Sequence, residues 1–135
     1  MLDELLARRI GDWVADPDSD VVYAEQVGDA WAVRMVQGVR DATTVWFVPG
    51  QRTLQVEAYV IPAPPRRAGD VYRICLMRNH GRRRVWWALD PDGSVVLRSR
   101  VGVEEANWGL LDELLGEIYE QVETTFRLLV TVGFR

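Results

Sequence analysis

At 135 residues, 48% hydrophobic and 27% charged, the chain has the profile of an ordinary soluble globular protein, long enough to bury about two-thirds of its unfolded surface within one domain, 1–135. A net charge of −4 gives the whole chain no attraction to nucleic acid or to an anionic membrane. All 16 basic residues are arginine, which excludes Schiff-base and phosphate-loop lysine chemistry, and the single cysteine excludes an internal disulfide.

The first residues, MLDELLARRIGDW, are charged throughout and lack a signal-peptide hydrophobic region. No apolar run approaches the length of a membrane span, so a cytoplasmic location is expected. Leu2, Leu5, Leu6, Ile10 and Trp13 fall at helical spacing, with Asp3 and Glu4 in the first turn where the helix dipole favours anions. Asp16-Pro17 ends this helix, because the residue before a proline is pushed out of helical backbone. Val21 to Val27 is a weaker candidate for a strand, which Gly28-Asp29 could turn back onto the next segment. That segment, Ala30 to Val36, places Trp31, Val33 and Met35 on one face and Arg34 on the other.

Thr43 to Pro65 predicts a hairpin. Val45 to Val48 is a β-branched and aromatic run, Pro49-Gly50 is a turn pair, and Thr53 to Ile61 alternates. Leu54, Val56, Ala58 and Val60 share the face expected to be buried, and Gln55, Glu57 and Tyr59 the other. Ala63-Pro64-Pro65 stops the sheet, since proline cannot donate to a ladder. Val71 to Met77 has strand-like composition, but Asp70 suits a helix N-cap, and Tyr72, Cys75, Leu76 and Asn79 lie on one helical face. A short helix, Asp70 to Asn79 and closed by Gly81, is the preferred reading.

Val85 to Leu89 and Ser94 to Val101 predict a second hairpin around Asp90-Pro91-Asp92-Gly93, which suits a type I turn. Its inward residues are expected to be Val85, Trp87 and Leu89, then Val95, Leu97 and Val101. Beyond Gly102 the chain is helical: Leu110, Leu111, Leu114, Ile118, Val122, Phe126 and Leu129 form one stripe. Asp112, Glu113, Glu117, Glu120 and Glu123 lie opposite as a solvated face, and Gly133 fits a C-terminal cap. The result is an α+β fold, an antiparallel sheet of about five strands with the N- and C-terminal helices on one face, in the order α-β-β-β-α-β-β-α.

Familiar chemistry is hard to assemble from these residues. His80 is the only histidine, which with one cysteine excludes zinc sites of the cysteine–histidine kind and leaves a triad resting on one loop residue. Cys75, on the apolar face of the middle helix, reads as a small hydrophobe rather than a redox thiol. Asp90 to Gly93 superficially resembles a calcium loop, but the places for its glycine and bidentate glutamate hold Val95 and Val101. Neither metal nor cofactor is expected, and the chain is not expected to be an enzyme.

Two features point outward instead. Arg78, Arg82, Arg83 and Arg84 stand together before Trp86 and Trp87, a group better matched to an acidic protein segment than to nucleic acid in a chain of this charge. Trp86 and Trp87 are adjacent in a strand, so one must leave the core, and the same parity applies to Trp46 and Phe47. An indole among other apolar groups on an open face marks an interface.

Trp31-Ala-Val-Arg-Met35, Thr43-Thr-Val-Trp-Phe47, Gln51-Arg-Thr-Leu54, Glu57-Ala-Tyr-Val-Ile-Pro-Ala-Pro64, Arg78-Asn79, Leu111-Asp112 through Gly116, Val122-Glu123, Phe126-Arg127 and Gly133-Phe134 together resemble the YbjN-like family of bacterial sensory transduction regulators. The element order resembles the type III secretion chaperone-like fold. The resemblance implies a non-catalytic, chaperone-like and regulatory module that binds a protein or peptide as a homodimer. In secretion chaperones the middle helix and the strand after it build the dimer interface, which here implicates Tyr72, Cys75, Leu76, Trp86 and Trp87. Partner contact is assigned to Gln55, Glu57 and Tyr59 on the sheet's second face and to Arg78, Arg82, Arg83 and Arg84. The alternative is a small-ligand sensor with an aromatic-lined pocket between sheet and helices.

Overall fold

A computed structural model describes residues 1–81 and 84–135. Helix α1 (Leu2–Ala15) buries Leu6, Ile10 and Trp13 along one face and stops at Asp16, which is extended ahead of Pro17. Strands β1 (Val21–Val27), β2 (Ala30–Val36), β3 (Ala42–Pro49) and β4 (Thr53–Ile61) follow as an antiparallel meander. Helix α2 (Ala68–Arg78) leads to β5 (Trp86–Leu89), β6 (Val95–Gly102) and the 27-residue α3 (Trp108–Phe134). The sheet order is β1-β2-β3-β4-β6-β5, and every neighbouring pair is antiparallel.

The α+β class and the helix placement are as the sequence predicts, but the sheet has six strands. The extra one is Val21–Val27, whose partner is β2, with a bulge between Val21 and Tyr23. Its alternation is hard to read because it is an edge strand with only Val21 buried. Leu54, Val56, Ala58 and Val60 all lie in the core, as expected of the central hairpin. They meet Leu6 and Ile10 of α1 and Leu111, Leu114, Ile118 and Leu129 of α3 in one apolar cluster. Trp13 reaches across it to Phe47, with ring centroids 5.9 Å apart.

Several local expectations need correction. Asp70 is not a cap: α2 begins two residues earlier, with Arg67 at its N-cap in left-handed backbone (φ 45°) and no side-chain cap. Gly133 does not terminate α3; it lies within the helix, buried, where a Cβ would stand 2.9 Å from Pro64 Cβ and Val71 Cγ2. Glycine is there for close approach, not for a turn. The cap comes from Arg67, whose guanidinium donates to the carbonyls of Val132 at 2.8 Å and Thr131 at 3.2 Å. Leu89 is exposed rather than inward, since β5 ends there at the sheet margin.

The acidic side of α3 is not simply solvated. Asp112 accepts from Arg9 Nε at 2.9 Å and Trp13 Nε1 at 2.8 Å, tying α1 to α3. Glu123 accepts from Gln37 Nε2 at 2.9 Å and from the backbone N–H groups of Gly38 and Val39, fastening the β2–β3 loop. Glu117 accepts from the Val85 N–H. Burial works to raise the Asp112 and Glu123 carboxyls, but their hydrogen bonds outweigh it and hold both below the ordinary range.

Candidate functional site

Strand parity decides which aromatics are available. Phe47 and Trp87 face the helices and are buried; Trp46 and Trp86, one residue earlier in each strand, face away and are 37% and 38% exposed. The register then brings the two exposed indoles onto one row of this outer face. Trp46 lies opposite Glu57, Glu57 opposite Arg98, and Arg98 opposite Trp86. Tyr59 and Val48, both about half exposed, flank the row one step to either side along the strands. These side chains stand open to solvent, so the outer face carries an aromatic and apolar surface with charge at its middle.

A groove of about 320 Å³ runs along it, lined by Val48, Gln55, Glu57, Trp86, Ala88, Arg98 and Arg100. Arg98 is its electrostatic hub, 2.6 Å from Asp90 Oδ1 and 3.5 Å from Glu57 Oε1. Asp90 belongs to the β5–β6 turn, closed by a Gly93 N–H to Asp90 carbonyl bond of 2.9 Å with Gly93 at φ 87°. Of the assigned partner residues, Gln55 and Glu57 line this groove and Tyr59 stands beside it. Arg84 turns to Glu105 at 3.5 Å, and Arg78 lies half-buried in the last turn of α2. Arg82 and Arg83 lie outside the described residues.

The residues assigned to self-association divide in the same way. Tyr72, Cys75, Leu76 and Trp87 line one small apolar groove of about 120 Å³ between α2 and β5, with Ala88 and Leu89. Trp86 lies on the opposite side of the sheet. Cys75 and Trp87 form the floor, while Leu76 and Leu89 stand exposed at the rim. Burial pushes the Cys75 thiol up to about 11, so at neutral pH it is a protonated apolar group. Trp87 Nε1 donates inward to Gln121 Oε1 at 3.2 Å. Tyr72 Oη donates to the Gly93 carbonyl at 3.0 Å, holding α2 against the β5–β6 turn.

Asn79 has a part that helical spacing alone does not reveal. Its Oδ1 accepts from the Trp87 N–H at 2.6 Å and its Nδ2 donates to the Trp87 carbonyl at 3.0 Å. The side chain thus occupies the place of a neighbouring strand along the outer edge of β5. Arg98 and Arg100 were legible by parity, since Leu97 and Val101 point inward on the same strand. Nothing in the sequence signals their grouping with Trp86, because that depends on β6 inserting between β4 and β5.

Among the described residues, no group of three or more histidine, cysteine, aspartate or glutamate side chains is placed to hold a metal ion. No described helix is long and apolar enough to cross a membrane. Among the described residues, an aromatic outer face and a small apolar groove at one end are surfaces open to a partner.

Comparison with known proteins agrees with this architecture. The model of the YbjN family, "Putative bacterial sensory transduction regulator", matches residues 8–130. Uncharacterized proteins of Mycobacterium tuberculosis and Mycobacterium leprae are 33% and 34% identical over 86 residues. That stretch is 64% of this chain and 47% of each of those proteins, so the match spans about half the length of these curated relatives. Among solved structures, a chain of the ExsC–ExsE complex superposes with a TM-score of 0.65 at 15% identity, over 95% of this chain and 96% of that one. The Yersinia pestis type III secretion chaperone SycH, in complex with a stable fragment of YscM2, superposes with a TM-score of 0.53 at 13% identity. That superposition covers 87% of this chain and 96% of the other, and the two together give the fold as type III secretion chaperone-like.

Proposed function

The chain belongs to the YbjN family, and from that premise we propose a non-catalytic, chaperone-like module that binds a protein or peptide partner, has a regulatory role and works in the cytoplasm. The observation that carries the proposal is the outer face, where Trp46, Val48, Tyr59 and Trp86 stand exposed together around the Glu57–Arg98 pair. Scattered surface apolar residues need no explanation, but several on one sheet face do. Support also comes from the two structural neighbours, which were solved in complexes with ExsE and with a stable fragment of YscM2. The test is purification of a partner from the native host, followed by reconstitution from purified components. Trp46→Ala with Trp86→Ala should weaken the reconstituted complex at least about tenfold, as truncated aromatic anchors do. An unchanged affinity would remove the outer face from the reading.

Self-association through the α2–β5 groove is the second part of the proposal. Tyr72, Leu76 and Leu89 would meet their counterparts over a floor of Cys75 and Trp87, burying side chains that are costly to leave in water. Trp86, on the other side of the sheet, belongs to partner contact instead. Sedimentation equilibrium should give a dimer that Leu76→Glu or Leu89→Glu dissociates. A monomer at high concentration would end this part of the proposal.

The small-ligand alternative has one feature in its favour. A recess of about 290 Å³ opens where α1, α3 and β2 meet, with Trp13, Met35 and Tyr119 among its walls. A thermal-shift screen against metabolites separates the readings: a large shift with a small molecule, and no protein partner, favours the sensor.

A further inference from the structure

Resting on the reading that the outer face binds protein, we infer that its groove seats a carboxylate side chain of an extended partner segment, with Arg100 as the counter-ion. The polar groups of the groove are unequal in what they have left to offer. Glu57, the carboxylate that lines the groove, and Asp90 of the β5–β6 turn are both paired with Arg98. The side chains of Arg100 and Gln55 lie opposite each other on β6 and β4 and have no hydrogen-bond or ion-pair partner among the described residues. A guanidinium offers five donors and no acceptor, and an amide offers two donors and one acceptor. An unpaired guanidinium in the groove calls for an acceptor ligand, and an anionic one fits it best.

The walls define what carries that anion. Val48, Trp86 and Ala88 are apolar, so the carboxylate arrives on a hydrocarbon stem among hydrophobic neighbours rather than as a free ion. β5 begins at Trp86, opposite Arg98, so β6 runs on past it and Arg100 has no β5 residue beside it. Along β4 and β6 the outer rows succeed one another as Gln55 with Arg100, Glu57 with Arg98, and Tyr59 with Val96. Rows two residues apart are spaced by about 6.8 Å, which is also the i to i+2 repeat of an extended peptide. A segment laid along the strands therefore places an acidic side chain at Arg100. Its i+2 side chain falls between Trp46 and Trp86, and its i+4 side chain falls beside Tyr59. The partner chemistry is acid, apolar, apolar at alternate positions.

The experiment uses fluorescein-labelled peptides in which glutamate, leucine and valine alternate with serine, with glutamine and lysine twins at the glutamate. Anisotropy titrations with the full chain should give the glutamate peptide at least about a tenfold advantage over either twin, weakening as salt is added. Arg100→Glu should transfer the preference to the lysine twin, while Arg34→Glu, on the same face but outside the groove, should leave it unchanged. Circular dichroism and sedimentation of each variant check that fold and oligomeric state are kept. Equal binding of the three peptides, an Arg100→Glu variant that binds the glutamate peptide normally, or no binding up to about 1 mM would overturn the inference. So would binding of inorganic phosphate without peptide binding, or loss of self-association in Arg100→Glu, which would make the occupant a free anion or a second copy of the chain. If Trp46→Ala and Trp86→Ala weaken the native complex while Arg100→Glu does not, the outer face stands and the carboxylate seat falls.

Discussion

Gly133 and Gly116 lie in the same helix, yet an alanine at each should act in opposite directions. An unstrained glycine-to-alanine change inside a helix gains about 0.8–1 kcal/mol. At Gly116 a Cβ meets nothing within 4 Å, so that gain should appear nearly whole. At Gly133 the Cβ would stand 2.9 Å from both Pro64 Cβ and Val71 Cγ2. Neither neighbour can turn away, since one is a ring and the other a β-branched side chain buried at the start of α2. Overpacking of this kind costs about 1–3 kcal/mol, and Gly133, next to the last residue of α3, recovers less than the full helical gain. Gly133→Ala should therefore lose about 1–2 kcal/mol while Gly116→Ala gains about 1. Urea denaturation at neutral pH should move the midpoint down for the first and up for the second, with unchanged slope. A thermal scan should separate the two melting temperatures by roughly 6–12 °C. Adding Val71→Ala to Gly133→Ala should cost less than the sum of the single changes, because it removes the clashing methyl. If Gly133→Ala is as stable as the natural chain, the close contact of α3 with α2 and Pro64 is wrong.

Phe47→Ala should cost about 3–5 kcal/mol by leaving a cavity under α1, whereas Trp46→Ala should change urea stability by less than about 1 kcal/mol. Asp112 and Glu123 have folded pKa values below their ordinary ones, so their contribution is complete at neutral pH and is lost as the pH falls through the folded values. Urea midpoints measured from about pH 6 to pH 2 should fall for the natural chain and converge on those of Asp112→Asn at the acid end; a constant gap would refute the assignment. Cys75 should react with a thiol reagent at pH 8 at least a hundredfold more slowly than in denaturant, because it is buried and its pKa is raised to about 11. Fast modification would mean that α2 opens readily. Asn79→Leu, which strips two hydrogen bonds from Trp87 at a partly wet edge, should cost about 1–3 kcal/mol and increase concentration-dependent association, read by light scattering.

What the sequence made legible follows periodicity. Leu54, Val56, Ala58 and Val60, Val33 with Met35, and the stripe of α3 each repeat at the period of their element, and all but Phe126 of α3 are buried. Parity also foresaw that one residue of each aromatic pair must face outward; it placed Trp87 inward, where it is buried, and left Trp46 and Phe47 undecided. Positions fixed by contacts between distant segments were not legible. Gly133 looks like a cap until Pro64 and Val71 are seen against it, and Asp112 looks solvated until Arg9 and Trp13 reach it from 103 and 99 residues away. The groove at Arg100 is of the same kind. It needs β6 between β4 and β5, an order that no local pattern encodes.

The protected edge of β5 bears on where a partner can come. Asn79 takes both outward backbone groups of Trp87, and Glu117 takes the Val85 N–H. In a four-residue edge strand this leaves little ladder for an added strand. Any chain arriving at this end of the sheet must therefore engage side chains, in the apolar groove beside α2 or on the outer face beyond Trp86. Apart from Ala88, which lines both, the two grooves are lined from opposite sides of β5. Self-association at the first and partner capture at the second are thus compatible within one molecule. A dimer built on the groove would carry two outer faces, and a partner segment long enough to reach both would gain from their high effective concentration without any new contact.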